Sequence, residues 1–342
     1  MASPAYALEG LQLEGGWTVG PLLLPGTNAT GGNFSCSYNL TKIDGTEAFL
    51  KALDFSEALT APDPALALNA LTQAYIFERD ILRECRNRNL DRIVRAITDG
   101  KIKVDDSYLG TVQYLIFESA DGDIRNQLDV MGHVEDAWKL RSLHHIATGL
   151  KQLHGNGMAH QDVKPSNVLV FGGSTSKIGD VGCASKRGSA SPRDHMPCAG
   201  DPAYAPPETL FGYLDPEWNT RRLGCDLYLL GSMAVFFFTS LSMTSLLFAE
   251  LHPNHRPGHW AGTYTAVLAY VRDAFDRAIQ AFEGHVQSDR LKEDLRLIVR
   301  QLCDPDPALR GHPENRESQM SLLRYVTRFD LLARRAEIGL FK

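Results

Sequence analysis

Two hydrophobic periods alternate along the first half of the chain. Ala48 to Leu53 reads as a short strand carrying one lysine, Lys51. A Pro- and Ala-containing stretch follows, Phe55 to Ala67. Then Leu68, Leu71, Tyr75, Leu82 and Cys85 recur at steps of three, four or seven, the spacing of one helix face. Glu78 falls on that stripe, where a carboxylate wants a buried partner; a place at the edge of the stripe, reaching solvent, is the alternative. Val112 to Glu118 is a mostly apolar run of buried-strand type, broken by Ser119, Ala120, Asp121 and Gly122. Val134, Ala137, Trp138, Ile146, Ala147, Leu150 and Leu153 form one stripe of a helix over Val134 to Leu153, which Gly155 and Gly157 can stop. Further on, Leu227 to Leu251 is mostly apolar, and Tyr264 to Phe282, Leu291 to Cys303 and Arg316 to Ala336 read as helices.

The helix ending at Leu153 leads into His160-Gln161-Asp162-Val163-Lys164-Pro165-Ser166-Asn167, a polar, Pro-interrupted stretch, and the apolar run Val168 to Phe171 leaves it. That pattern is a loop between a helix and a strand, where reactive groups tend to sit. Asp162 can accept a proton from an attacking hydroxyl, Lys164 can neutralise a transferring phosphoryl group, and Asn167 can ligate a hard cation through its amide oxygen. Eighteen positions after Asp162, in Gly179-Asp180-Val181-Gly182, Asp180 offers a second ligand for Mg²⁺.

His160 to Asn167 resembles the H-R-D-x-K-x-x-N catalytic loop of protein kinases, and Asp180-Val181-Gly182 resembles their D-F-G. Further stretches join the resemblance. Thr30-Gly31-Gly32-Asn33-Phe34-Ser35-Cys36-Ser37-Tyr38 is a degenerate match to the nucleotide-covering loop G-x-G-x-F-G-x-V; an ordinary hairpin turn explains it as well. Lys51 matches the lysine of V-A-I-K, and Glu78 the αC glutamate that pairs with it. The separation of the two is longer than usual, so an extra loop or turn is expected before the helix. Gly200 to Glu208 resembles G-T-P-x-Y-x-A-P-E, with Arg310 as the partner of Glu208; two solvated surface charges are the alternative. Asp226 to Gly231 fits the D-x-x-x-x-G opening of a central helix.

The resemblance implies an α+β, two-lobed protein kinase-like fold, with a small β-rich N-lobe holding one main helix and a larger helical C-lobe. The expected layout is an N-terminal arm at 1–19, which reads as a strand or an ordered arm, then N-lobe 20–118, hinge 119–122, C-lobe 123–312 and a C-terminal helical extension at 313–342. It implies ATP and Mg²⁺ as cofactors. Gly31, Gly32 and Phe34 would cover the nucleotide, Lys51 would meet its phosphates, and main-chain groups of Glu118 and Ala120 would face the adenine edge. Asn167 and Asp180 would hold the metal, and Asp162 and Lys164 would serve the transfer. Phe117 would sit behind the adenine pocket, although plain core is equally compatible. Lys164 two positions after Asp162 points to Ser/Thr acceptors on a protein substrate.

Three departures qualify this expectation. Gln161 stands where the family has an Arg that pairs with an activation-segment phosphate, so activity is expected to be independent of that phosphorylation; Gln cannot make a charge-assisted fork. Asp201 replaces a Thr and is expected to repel Asp162 or alter substrate fit. Val181 replaces Phe and weakens the packing of the D-F-G turn. The alternatives are a pseudokinase scaffold and a small-molecule kinase of related fold.

Composition narrows the picture little. With 342 residues and a net charge of −6, the chain has no nucleic-acid footprint. Its six cysteines are scattered without a C-x-x-C, which points to reduced thiols and a cytoplasmic location. No basic n-region precedes an apolar core at the N-terminus, so no signal peptide is expected. Leu227 to Leu251 is long enough to span a bilayer, but a buried core helix is the expectation. His252, His255 and His259 lack a scaffold for a metal.

Overall fold

The computed structural model describes residues 3–24, 35–106, 110–131, 135–315 and 318–341. They fall into two compact units, Met1–Asp121 and Gly122–Lys342.

In the first unit, six strands among the described residues form an antiparallel sheet: β1 (Gln12–Leu13), β2 (Trp17–Leu23), β3 (Ser35–Thr41), β4 (Glu47–Leu53), β5 (Ala96–Lys103) and β6 (Thr111–Glu118), in the order β1-β2-β3-β4-β6-β5. Successive strand side chains point to opposite faces. In β4 this buries Ala48, Leu50 and Ala52 with Tyr38, Leu40, Tyr114 and Ile116, and turns Lys51 to the other face. Residues expected as an N-terminal arm belong to this core: Ala5, Leu8, Leu13 and Trp17 are buried in it, and Tyr38 donates its hydroxyl to Ala5 O at 2.6 Å. Between β4 and β5 lie α1 (Ser56–Leu59) and α2 (Pro64–Asn87). Asp63 caps α2 by accepting from Leu66 N, and Pro64 opens it, so the helix starts one turn before its apolar stripe. The short α1 and this capped turn fill the long interval between Lys51 and Glu78.

The second unit opens with β7 (Gly122–Asp123), α3 (Ile124–Met131) and α4 (Asp136–His154). Short strands follow: β8 (Met158–Ala159), β9 (Val168–Phe171), β10 (Thr175–Ile178) and β11 (Ser185–Lys186). They pair as β10-β9-β7 and β11-β8. The remaining helices are α5 (Pro207–Leu210), α6 (Gly224–Thr239), α7 (Met243–Glu250), α8 (Tyr264–Glu283), α9 (Asp289–Leu302) and α10 (Leu323–Glu337). Gly224 to Phe237 of α6 is buried throughout, as expected of a helix that is apolar all round.

The apolar stretch from Leu227 to Leu251 is two helices. Ser240 turns left-handed at φ 60°, and Ser242 caps α7 by accepting from Ser245 N. One helical run among the described residues, Asn219–Thr239, is long and apolar enough to cross a membrane, and 83% of its apolar window is buried in the protein. The last helix starts at Leu323, later than its expected start at Arg316, because a turn closed by Ser321 N to Ser318 O precedes it. It packs on α4 through Tyr325, Phe329, Leu332 and Ala333, with Arg141 bonded to Asp330 at 2.6 Å and to Glu337 at 2.7 Å.

Candidate active site

In the first unit the free face of β4 meets α2. Lys51 Nζ lies 2.8 Å from Glu78 Oε1, and Glu78 is buried on the α2 stripe. Glu84, the second glutamate on this helix, pairs with Arg88 one turn on. Phe117 is buried, its ring tilted against Phe49 with centroids 6.4 Å apart. Glu118 spends its N–H on Arg95 O at 3.1 Å and accepts from Arg95 N through its carboxylate at 2.8 Å. Ala120 is partly exposed just past the strand. Gly31, Gly32 and Phe34 lie outside the described residues.

In the second unit the His160–Asn167 loop hangs on one buried carboxylate. Asp226, at the start of α6 and fully buried, accepts from His160 N at 2.8 Å, from Gln161 N at 2.7 Å and from His154 Nε2 at 2.8 Å. His160 is a scaffold group. Its Nδ1 accepts from Asp162 N at 3.2 Å, which leaves the proton on Nε2, and Nε2 donates to Gly179 O at 2.8 Å. That bond ties the loop to the residue before Asp180. Gly179 N donates to Asn167 O at 2.8 Å and ties it a second time. Asp180 is exposed and left-handed, at φ 52°. Val181 is fully buried behind it.

The Asp162 carboxylate is gripped from two sides. Oδ1 accepts from Asp201 N at 2.8 Å and Oδ2 from Asn167 Nδ2 at 2.9 Å. Lys164 Nζ stands 3.5 Å from Oδ2. Burial raises the Asp162 pKa, with Asp180 adding to the effect; Lys164, the Asp201 N–H and His160 only partly oppose it. Burial alone would lower the Lys164 ammonium, but Asp162 and Asp201 carry it above its ordinary value. The repulsion expected between Asp201 and Asp162 does not take the form of facing carboxylates. Asp201 turns its N–H to Asp162, while its own carboxylate takes Lys164 at 3.3 Å and Ala203 N at 2.9 Å.

Glu208 and Arg310 form a buried fork, with Nη1–Oε1 at 2.8 Å and Nη2–Oε2 at 2.9 Å. A second buried arginine, Arg222, was not anticipated. It donates to Gln161 Oε1 at 2.6 Å and to Asp194 Oδ1 at 3.0 Å. Its one sequence cue is weak: the doublet Arg221-Arg222 enters an otherwise apolar helix.

Residues 31–315 match the family model of the protein kinase domain. Among curated proteins, the chain is 26% identical to serine/threonine-protein kinase PTK2 of Candida glabrata over 52% of its own length and 25% of that protein. It is 28% identical to serine/threonine-protein kinase SSN3 of Candida albicans over 51% of its length and 29% of that protein. An Aurora kinase of Debaryomyces hansenii is 29% identical over 36% of the chain and 29% of that protein. The chain thus spans less than a third of the length of these three relatives. A family match over most of the chain accounts for the β-sheet unit, the helical unit and the loop hung on Asp226, and the chain belongs to the protein kinase family.

Proposed function

We propose that this chain transfers the γ-phosphate of ATP to Ser or Thr hydroxyls of a protein substrate, without needing a phosphate on its activation segment. The observation that carries the reading is the Asp162 carboxylate. Both its oxygens are held by neutral N–H donors and its pKa is raised, which suits a general base that must orient a hydroxyl and then take its proton. Lys164 beside it would offset charge building on the transferred group.

The donor set fits the cofactors. Asn167 commits its amide nitrogen to Asp162 O and Oδ2, so the amide oxygen is what it offers a hard cation. With the Asp180 carboxylate this makes two protein ligands, the number that suits Mg²⁺ bound mainly through phosphates and water. Lys51, fixed by Glu78, would hold the phosphates. Main-chain groups of Glu118 and Ala120 would face the base. Bound ATP and Mg²⁺ would supply the phosphoryl group and offset its charge.

One observation favours a second reading, nucleotide binding without turnover: Asp201 draws Lys164 toward a second carboxylate. Transfer of labelled γ-phosphate to a generic Ser/Thr substrate separates the two. Incorporation by the wild type, lost in Asp162→Asn and Asp180→Asn and kept in the Ser189→Ala/Ser191→Ala double variant, is the expected result. An inactive double variant sinks the phosphate independence. Thermal stabilisation by ATP without transfer sinks turnover.

A further inference from the structure

We propose that the Arg222–Asp194 pair, seated on Gln161, is a built-in clamp that holds the activation segment against the catalytic loop in place of a phosphate. Arg222 is 3% exposed and lies in a π-helical turn, Asn219–Leu223, at the entrance to α6. Such turns recur at functional sites because the extra residue re-aims side chains. One guanidinium nitrogen donates to Gln161 Oε1 at 2.6 Å, and the other to Asp194 O at 2.9 Å and Oδ1 at 3.0 Å. Gln161, left-handed at φ 65°, passes the connection on by donating Nε2 to Cys183 O at 3.0 Å. Asp194 also accepts from Ser185 Oγ at 2.9 Å and Ser191 N at 2.8 Å, and Arg221 donates to Asp194 O at 2.7 Å and Met196 O at 3.2 Å. Four stretches of chain therefore meet at one cation: the catalytic loop, residues 183–185, residues 191–196 and the start of α6.

The charges explain the glutamine. A buried guanidinium needs a counter-charge, and Asp194 is the carboxylate that Arg222 bonds. An arginine at position 161 would set two cations against that carboxylate, whereas Gln161 accepts from Arg222 and adds no charge. If the segment swung away it would strand Arg222 with neutral acceptors, so the ordered position is favoured without any added phosphate. Arg222 and Asp194 bond Gln161 and the segment rather than Asp162; they are positioning residues that act through Gln161.

The activity arm of the test rests on the phosphotransfer reading, so a structural arm runs beside it. The phosphatase-treated wild type, Arg222→Gln, Asp194→Asn and Arg222→Gln/Gln161→Arg are compared by hydrogen exchange over residues 185–196 and by steady-state kinetics. The clamp predicts exchange at least about tenfold faster in both single variants, with α9 unchanged. It predicts kcat lower by about ten- to a hundredfold with KM for ATP nearly constant, and partial recovery of both readouts when Gln161→Arg returns a guanidinium from the loop side. Unchanged exchange in both single variants overturns the clamp, as does lost activity that Gln161→Arg does not begin to restore. If Arg222→Gln fails to fold, Asp194→Asn decides by the same readouts. A wild type that transfers no phosphate counts against the function reading alone, and the exchange result then decides the clamp.

Discussion

Arg310 and Arg222 are both buried guanidiniums of the second unit, and they are satisfied in opposite ways. Arg310 faces both oxygens of Glu208 and adds Asp304 O and Gly224 O. Burial by itself would lower its pKa, yet Glu208 drives it well above the ordinary value. Arg222 bonds one carboxylate oxygen, one amide and one carbonyl. Burial lowers its pKa, the neighbouring Arg221 lowers it further, and Asp194 only partly compensates. The first is a fixture of the fold, joining α5 to the loop that follows α9. The second ties a surface-reaching segment to the interior by a lighter bond, which can be lost without dissolving the core.

That contrast is open to breaking. Glu208→Gln should be the most damaging change, because it leaves Arg310 charged and uncompensated; about 3–5 kcal/mol of stability should go, read from the denaturant midpoint. A loss under about 1 kcal/mol would erase the distinction. Asp194→Asn should lose roughly 1–2 kcal/mol by the same measurement, since one charged hydrogen bond is weakened at a partly exposed group. A cost equal to that of Glu208→Gln would mean the segment is as deeply rooted as the core. Glu78→Gln should change stability least, by less than about 1 kcal/mol, because the Lys51 end of that pair is partly exposed, while phosphotransfer falls steeply. Parallel losses of stability and activity would instead make it a structural pair.

The smallest effect concerns pH and a third cation, Lys164, held between two carboxylates. Asp162 must be ionised to act as base, and its pKa is raised, so the acid limb of kcat/KM should lie above the ordinary carboxylate range. Lys164 opposes that rise, so Lys164→Met should move the limb to still higher pH and Asp201→Asn should move it little. A limb that moves down in Lys164→Met contradicts the assignment of Asp162.

The motif residues were legible because the chemistry that joins them is written at short spacing. His160, Asp162 and Asn167 bond within one loop, and Asp180 follows it by a hairpin. The Lys51–Glu78 pair could be anticipated because a carboxylate on an apolar stripe wants a buried partner, and the resemblance to the αC helix pointed to Lys51 as that partner. Arg222 could not. Its partners lie 61 and 28 positions away, and nothing local distinguishes it from Arg221. The break at Ser240 escaped notice because no Gly or Pro marks it; the cue was Ser242, a capping residue inside an apolar run. Residues 1–19, read as a strand or an ordered arm, could not be placed more closely for a related reason. Ala5, Leu8, Leu13 and Trp17 are too widely spaced to show a period, yet all four are buried.

The packing of α10 on α4 also sets an order in time. Arg141 and its partner Asp330 are 189 positions apart, so the helix that feeds the catalytic loop is made long before the helix that covers it. At ~5–20 residues per second, α4 would wait roughly 10–40 s on the ribosome with that face bare. A newborn chain would be open to misassembly during that interval, and the His160–Asn167 loop rests on a support that is complete only once α10 has been made.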